Sequence, residues 1–392
     1  MGEQRSLTIA VVAGESSGDQ LGSRLIQHIS TSVSGRVTFI GVGGPLMVQA
    51  GLETLFPMSD IAVNGLIPVI KKLPVLLKRI SQTARAIIAA KPACVVLIDA
   101  QDFNKKVAKA VRKALPTVPI IGYVSPTVWA WRPGRAKKIR PLFNQLMAVL
   151  PFEPEVHAKL GGPETIYVGH PLMERSQDWT PSPDEACESA SQPYKLLVLP
   201  GSRQGEISRL LPVFGEAIGH LVKVSPDLEV VLPAVDHLRT EIEAATAHWP
   251  VRPKLVFGES EKWHAFRTAR AALAASGTVT LELALAKVPT VVAYRVSYLE
   301  GELARILIKV KFASLPNLII NRSLLPEFIE RGWTGVELAA SLVPLLNEGD
   351  VRNVQLAGFD EVRAAMSVPH GSPSAMAAGI VLDAIRCTKK EP

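Results

Sequence analysis

The sequence is poor in the features that would make it a membrane-spanning, disulfide-built or nucleic-acid-reading protein. Its apolar runs are all interrupted by charges or prolines before they reach the length of a bilayer span. The N-terminus carries Glu3 and Arg5 and passes straight into a strand-like run, so it has no signal-peptide pattern. Only three cysteines occur, Cys94, Cys187 and Cys387. They lie far apart without metal-ligand spacing, which predicts free thiols in a reducing compartment. Aromatic residues make up only 6%. No Gly-x-Gly-x-x-Gly, no Walker lysine and no Asp-x-Asp of the kind that grips a divalent ion is found. Zinc, helix-turn-helix and RNA-binding signatures are missing too, which argues against a nucleic-acid partner.

What is present is aliphatic. Hydrophobic residues reach 47% and charged ones 20% over 392 residues. That length exceeds one ordinary core and predicts two domains. Short runs such as Leu7–Ala13, Val37–Val42, Cys94–Ile98 and residues 119–124 each end in Gly, Asp or Ser and lead into a helical pattern, the order of a βαβ parallel sheet. Residues 176–193 hold three prolines among Asp, Glu and Ser and read as a linker. Strand–helix alternation then restarts at Lys195–Leu199 and continues through residues 228–232, 254–257, 271–275 and 288–294. The predicted organisation is a first α/β domain over 1–176 plus 352–392, a linker over 177–194 and a second α/β domain over 195–351.

Charge is segregated. From Ile61 to Phe152 sixteen Lys and Arg face two acids, giving +14, against +7 for the whole chain. Within it, residues 66–89 mix Lys71, Lys72, Lys78 and Arg79 with many Ile, Val and Leu and contain no acid. A cationic face beside an apolar one suits an anionic membrane surface, although core packing with a solvated basic face gives the same pattern. Trp129 and Trp131, two residues apart beside Arg132, point the same way if extended and suit a sugar or an anionic headgroup; a core pair is the alternative.

Ligands of parallel sheets collect beyond the carboxyl ends of the strands, where the polar clusters fall. Ser276, Gly277 and Thr278 follow a strand and open a helix, a setting for an anion, and Glu282 lies one turn further on, placed for ribose hydroxyls. A capped helix with a solvent-facing Glu explains the same residues. Arg203, after Pro200-Gly201-Ser202, offers a fork to phosphate oxygens, although a surface arginine beside a helix N-cap is the commoner outcome for such a segment taken alone. In the first domain two acids make Gly14–Asp19 a poor diphosphate cradle. Glu15, Ser16 and Ser17 are therefore read as a sugar- or acceptor-facing loop, with a plain tight turn as the other reading. Asp99, at a buried strand tip, is the candidate general base, a purely structural role being the alternative, with Asp102 as the cap of the following helix.

Six strings in order, AGESSGD (13–19), IDAQDFN (98–104), YVSPTVWAWR (123–132), LPGSRQGEI (199–207), ASGTVTLE (275–282) and SLPNLI (314–319), resemble the lipid A disaccharide synthase family of membrane-associated glycosyltransferases. One departure is Gln101, where that family usually has proline between the two acids. The resemblance implies a GT-B architecture: two Rossmann-like domains with parallel sheets facing across a cleft, and C-terminal helices packing back on the first. It implies an inverting transfer of 2,3-diacylglucosamine from UDP to 2,3-diacylglucosamine-1-phosphate (lipid X), forming a β-1,6 disaccharide and UDP. With no Asp-x-Asp, and with Ser276–Thr278 and Arg203 to meet the leaving-group charge, no metal or cofactor is expected. Asp99 matches the family's proposed base; Arg203, Glu282 and Asn317 match its UDP-sugar site, and Ser276, Gly277 and Thr278 its phosphate turn. A cytoplasmic enzyme held peripherally on the inner membrane, and a homodimer, also follow from the resemblance. A cytosolic UDP-sugar epimerase or hydrolase, or an inactive nucleotide-binding or membrane-scaffold protein, are the rival readings.

Overall fold

The computed structural model describes residues 7–62, 72–295, 310–329, 332–369 and 371–388. Lys71 and the start of the basic apolar stretch lie outside them. Two compact units are present, one of residues 1–174 with 368–392 and one of residues 175–367.

The first unit is built on a seven-stranded parallel sheet: β1 (Leu7–Ala13), β2 (Val37–Val42), β3 (Leu52–Thr54), β4 (Cys94–Ile98), β5 (Ile120–Tyr123), β6 (Gln145–Ala148) and β7 (Glu164–Tyr167). Its order is β3-β2-β1-β4-β5-β6-β7. Every residue of β4, and all of β1 after its first two, is buried, as expected for strands covered by helices on both faces. Cys94, central in this sheet, is a free thiol pushed up to about 12 by burial, while Cys187 and Cys387 are free and exposed.

The second unit carries a six-stranded parallel sheet: β8 (Lys195–Leu199), β9 (Glu229–Ala234), β10 (Lys254–Phe257), β11 (Ala271–Ala274), β12 (Thr290–Ala293) and β13 (Glu327–Phe328). The order is β10-β9-β8-β11-β12-β13. In both sheets the chain winds outward in opposite directions from a central pair, β1/β4 in one and β8/β11 in the other. The carboxyl edge between such a pair is a topological switch point, where helices diverge and leave a crevice.

The short strands β3, β6, β7 and β13 carry too weak a pattern to be recognised in the sequence. The domain boundaries also differ from expectation. Residues 177–194 form no open linker: Ser182 and Glu185 make a reciprocal capping box for the helix Pro183–Ala190, in which Pro183 takes a favourable first-turn position. Glu185 also receives Arg267 of the second unit, whose guanidinium holds its carboxyl down at about 2. Trp179 is buried beneath Arg363. Likewise the helix Asp350–Met366 belongs to the second unit. Gln355 there brackets Thr290, and Arg352 donates to the carbonyls of Arg270 and Leu345. Among the described residues only the last helix, Pro373–Thr388, returns to the first sheet, packing Ala377, Val381 and Ile385 with β1 and β4.

Candidate active site

The first unit's switch point is occupied by Asp99 and the loop 14–19, because Ala13 and Ile98 are register partners on β1 and β4. Asp99 and Ala100 both adopt left-handed backbone, φ 48° and 40°. Two such residues in succession without glycine cost about 1–3 kcal/mol each and persist only where the surroundings over-determine them. They do so here. The Asp99 amide donates to the Tyr123 carbonyl (2.9 Å), and Asn104 Nδ2 donates to the carbonyls of Ile98 and Asp99 (3.0 and 2.7 Å). Gly14 leaves room for the turn, since a Cβ there would stand 2.6 Å from the Ala100 Cβ. Gln101 starts the helix Gln101–Ala114, and its side-chain amide donates to the Val124 carbonyl (3.0 Å), a tie that proline at this position lacks. Burial raises the Asp99 carboxyl above its ordinary value, only partly offset by the Ala100 backbone N–H. Asp102, expected as the helix cap, makes no cap. It lies in the first turn and pairs with Arg135 at 3.1 Å.

In the neighbouring loop the side chains separate. Ser16 and Ser17 are exposed, and Glu15 and Ser16 line a cavity of about 670 Å³ with Pro45, Val48 and Met58. Asp19 is buried and structural. It accepts from the amides of Gly44, Leu46 and Met47 at 2.9–3.1 Å, capping the helix Pro45–Gln49.

The tryptophan segment is not extended. Its amides fold back in a turn, Ala130 and Trp131 both donating to the Thr127 carbonyl. Trp129 is tied inward by its indole N–H to Glu153 (3.1 Å) and edge-packs on Phe152, whereas Trp131 lies under the Arg132 guanidinium at 4.2 Å. Glu153, which sequence reasoning missed, is a buried carboxylate that also accepts from the Leu150 amide; burial raises it and the bonds from Leu150 and Trp129 hold it back.

Arg79 is likewise not a free surface cation. It binds Asp60 through Nε and Nη2 (2.9 and 2.5 Å) and stacks on Phe56. Lys78, on the helix Leu73–Ala90, and Lys72, at its N-cap, are exposed beside Leu73, Val75 and Leu77, which are 42–48% exposed. Among the described residues no helix is long and apolar enough to cross a membrane.

The second switch point gathers the predicted nucleotide residues. Leu199 and Ala274 are register partners, so Gly201–Arg203 and Ser276–Thr278 emerge side by side from β8 and β11. Gly201 has φ 102°, and a Cβ there would stand 2.2 Å from Glu206 Oε2. Arg203 opens the helix Gln204–Leu221 with its side chain 79% exposed, touching Glu206 at 3.0 Å. Gly277 and Thr278 are exposed; Gly277 has φ 150° and open space about it. Ser276 does not cap the helix Val279–Leu285. Its hydroxyl donates to the Ala313 carbonyl (2.9 Å). Glu282 points not to open solvent but to Lys262, 2.8 Å away.

Asn317 departs from expectation. It is fully buried. Its oxygen accepts from the Leu324 and Leu325 amides (2.9 and 2.8 Å), and its amide donates to the Leu325 carbonyl and Glu327 (3.0 and 2.8 Å). Those four bonds exhaust an asparagine side chain, so nothing remains for a ligand. Its partner Glu327, missed in the sequence, also accepts from the Ala313 and Ser314 amides and the Ser314 hydroxyl (2.9, 2.8 and 2.6 Å). Asn317 and Glu327 thus hold the loop that receives Ser276. No short-range signal marks either role, because the partners are separated in sequence and meet only through the fold.

The lipid-A-disaccharide synthetase family model matches residues 9–380. The chain belongs to the lipid-A-disaccharide synthase family. The lipid-A-disaccharide synthase of Nitrobacter winogradskyi is 46% identical over 381 residues, covering 97% of this chain and 96% of that one. Among solved structures, the chain resembles UDP-N-acetylglucosamine 2-epimerase from Rickettsia bellii at TM-score 0.61 and 12% identity, covering 99% of each chain. It also resembles the glycotransferase of kitacinnamycin at TM-score 0.60 and 17% identity, covering 97% and 99%. These likenesses give the fold, GT-B. Membership of the synthase family gives the activity: a glycosyltransferase of lipid A disaccharide synthesis, which the epimerase reading does not fit.

Proposed function

We propose that the enzyme transfers 2,3-diacylglucosamine from UDP to the 6-hydroxyl of 2,3-diacylglucosamine-1-phosphate, inverting the anomeric centre and releasing UDP. Asp99 accepts the hydroxyl proton as the hydroxyl oxygen bonds to the anomeric carbon, and the bond to UDP breaks on the opposite face. The charge on departing UDP is met by the backbone of Ser276, Gly277 and Thr278 and by Arg203, and Glu282 accepts from the ribose. Glu15, Ser16 and Ser17 face the sugars. The observation that carries this reading is the strained turn at the first switch point, which presents a carboxyl of raised pKa just where a parallel sheet binds ligand.

Lys72 and Lys78, with Leu73, Val75 and Leu77 and the tryptophan–arginine pair Trp131–Arg132, support seating on the anionic cytoplasmic face of the inner membrane, where acylated substrates reside. A homodimer is part of the same proposal. The test follows UDP release and disaccharide mass from both acylated glucosamines. Asp99→Ala should abolish turnover and leave UDP binding intact; equal turnover would remove Asp99 from the mechanism.

A further inference from the structure

Lys262 lies in the helix Glu259–Thr268, outside every motif recognised in the sequence. Its ammonium reaches Glu282 Oε2 at 2.8 Å; among the described residues the only other carboxylate paired with it is the largely exposed Glu259, at 3.7 Å. Both members of the Lys262–Glu282 pair are mostly shielded, with side chains 22% and 15% exposed. The ammonium also stands over the rings of Trp263 and Phe266, at 5.0 and 5.6 Å from their centroids. Those rings are buried, so they form a fixed floor that restricts where the lysine can go.

From this geometry we propose that Lys262 is a positioning residue that sets the enzyme's discrimination between ribose and deoxyribose nucleotides. The proposal rests on the reading of Glu282 as the ribose acceptor. A glutamate has three rotatable bonds, and a ribose diol is recognised only if the carboxylate already stands at the right place. Lys262 supplies that restraint by fixing Oε2, so that the other oxygen is offered to the hydroxyls. It also neutralises Glu282, which lies one helical turn from Thr278. A bare carboxylate so near a diphosphate would repel it.

The test measures binding of UDP and 2′-deoxy-UDP by calorimetry to the wild type, Lys262→Met, Lys262→Arg and Glu282→Gln, with thermal melting to verify folding. The wild type should favour UDP by tenfold or more. Lys262→Met should bring that preference to within about twofold, as should Glu282→Gln, while Lys262→Arg keeps most of it. With saturating acceptor, Lys262→Met should raise KM for the sugar nucleotide and leave kcat nearly unchanged. A wild-type preference retained in Lys262→Met overturns the role of Lys262 while sparing that of Glu282. No preference in the wild type overturns the ribose role of Glu282, and this inference with it. If Lys262→Met fails to fold, loss of preference in the arginine variant, which keeps the charge, is the refuting result.

Discussion

Replacing Asn317 by alanine separates two roles that a sequence comparison merges. If the side chain touched the sugar nucleotide, its loss would weaken binding and leave the fold intact. The structure assigns it four internal bonds, two of them from the buried amides of Leu324 and Leu325. In the alanine variant these two N–H groups lose their acceptor, at about 1–3 kcal/mol each. Glu327 keeps its bonds from Ser314 and Ala313, so its loss is smaller. A total of about 3 kcal/mol is expected, which lowers the melting temperature of a domain of this size by roughly 6–12 °C. Differential scanning calorimetry reads the shift, and UDP titration well below the transition reads the site. Asn317→Asp is the companion variant: it retains the acceptor oxygen but sets a carboxylate against that of Glu327, so near neutral pH it should be no more stable than the alanine variant. An unchanged melting temperature in Asn317→Ala together with lost UDP affinity would refute the reasoning and return Asn317 to the ligand.

Other expectations concern the first unit. Because burial raises the Asp99 carboxyl above an ordinary aspartate and the base must be ionised, kcat/KM should climb as pH rises through that raised value and level off beyond it; a pH–rate profile whose rise lies at or below the ordinary aspartate value would contradict this. Changing Leu73, Val75 and Leu77 together to serine should weaken binding to anionic vesicles about a hundredfold, from roughly 1 kcal/mol per half-exposed side chain. Arg79→Ala should instead lower the melting temperature, since Arg79 is bound to Asp60, and a pure loss of vesicle binding in that variant would be the contrary result.

Long aliphatic strands and the Gly, Asp or Ser at their ends were legible because a doubly covered parallel strand must be apolar throughout and its polar residues can only gather at the tips. The minor strands were not, being two to four residues long and only partly apolar. Residues 177–194 misled for a physical reason: prolines and acids that suggest an open linker are also the residues that start a helix, and only the partner Arg267 shows which applies.

From the order of its residues alone, the chain determined that it would build two parallel sheets and that Asp99, Arg203, Ser276 and Glu282 would stand at strand or helix ends, since periodicity and chain breakers act over neighbouring positions. Which of these side chains remain available was decided only in three dimensions. Asn317 and Asp19 are spent on backbone amides, Arg79 on Asp60 and Trp129 on Glu153, while Lys262 arrives from a distant helix to hold Glu282. A hydrogen bond or ion pair depends on atoms meeting within about 3 Å, and between residues far apart in the chain that distance is set by packing and not by sequence.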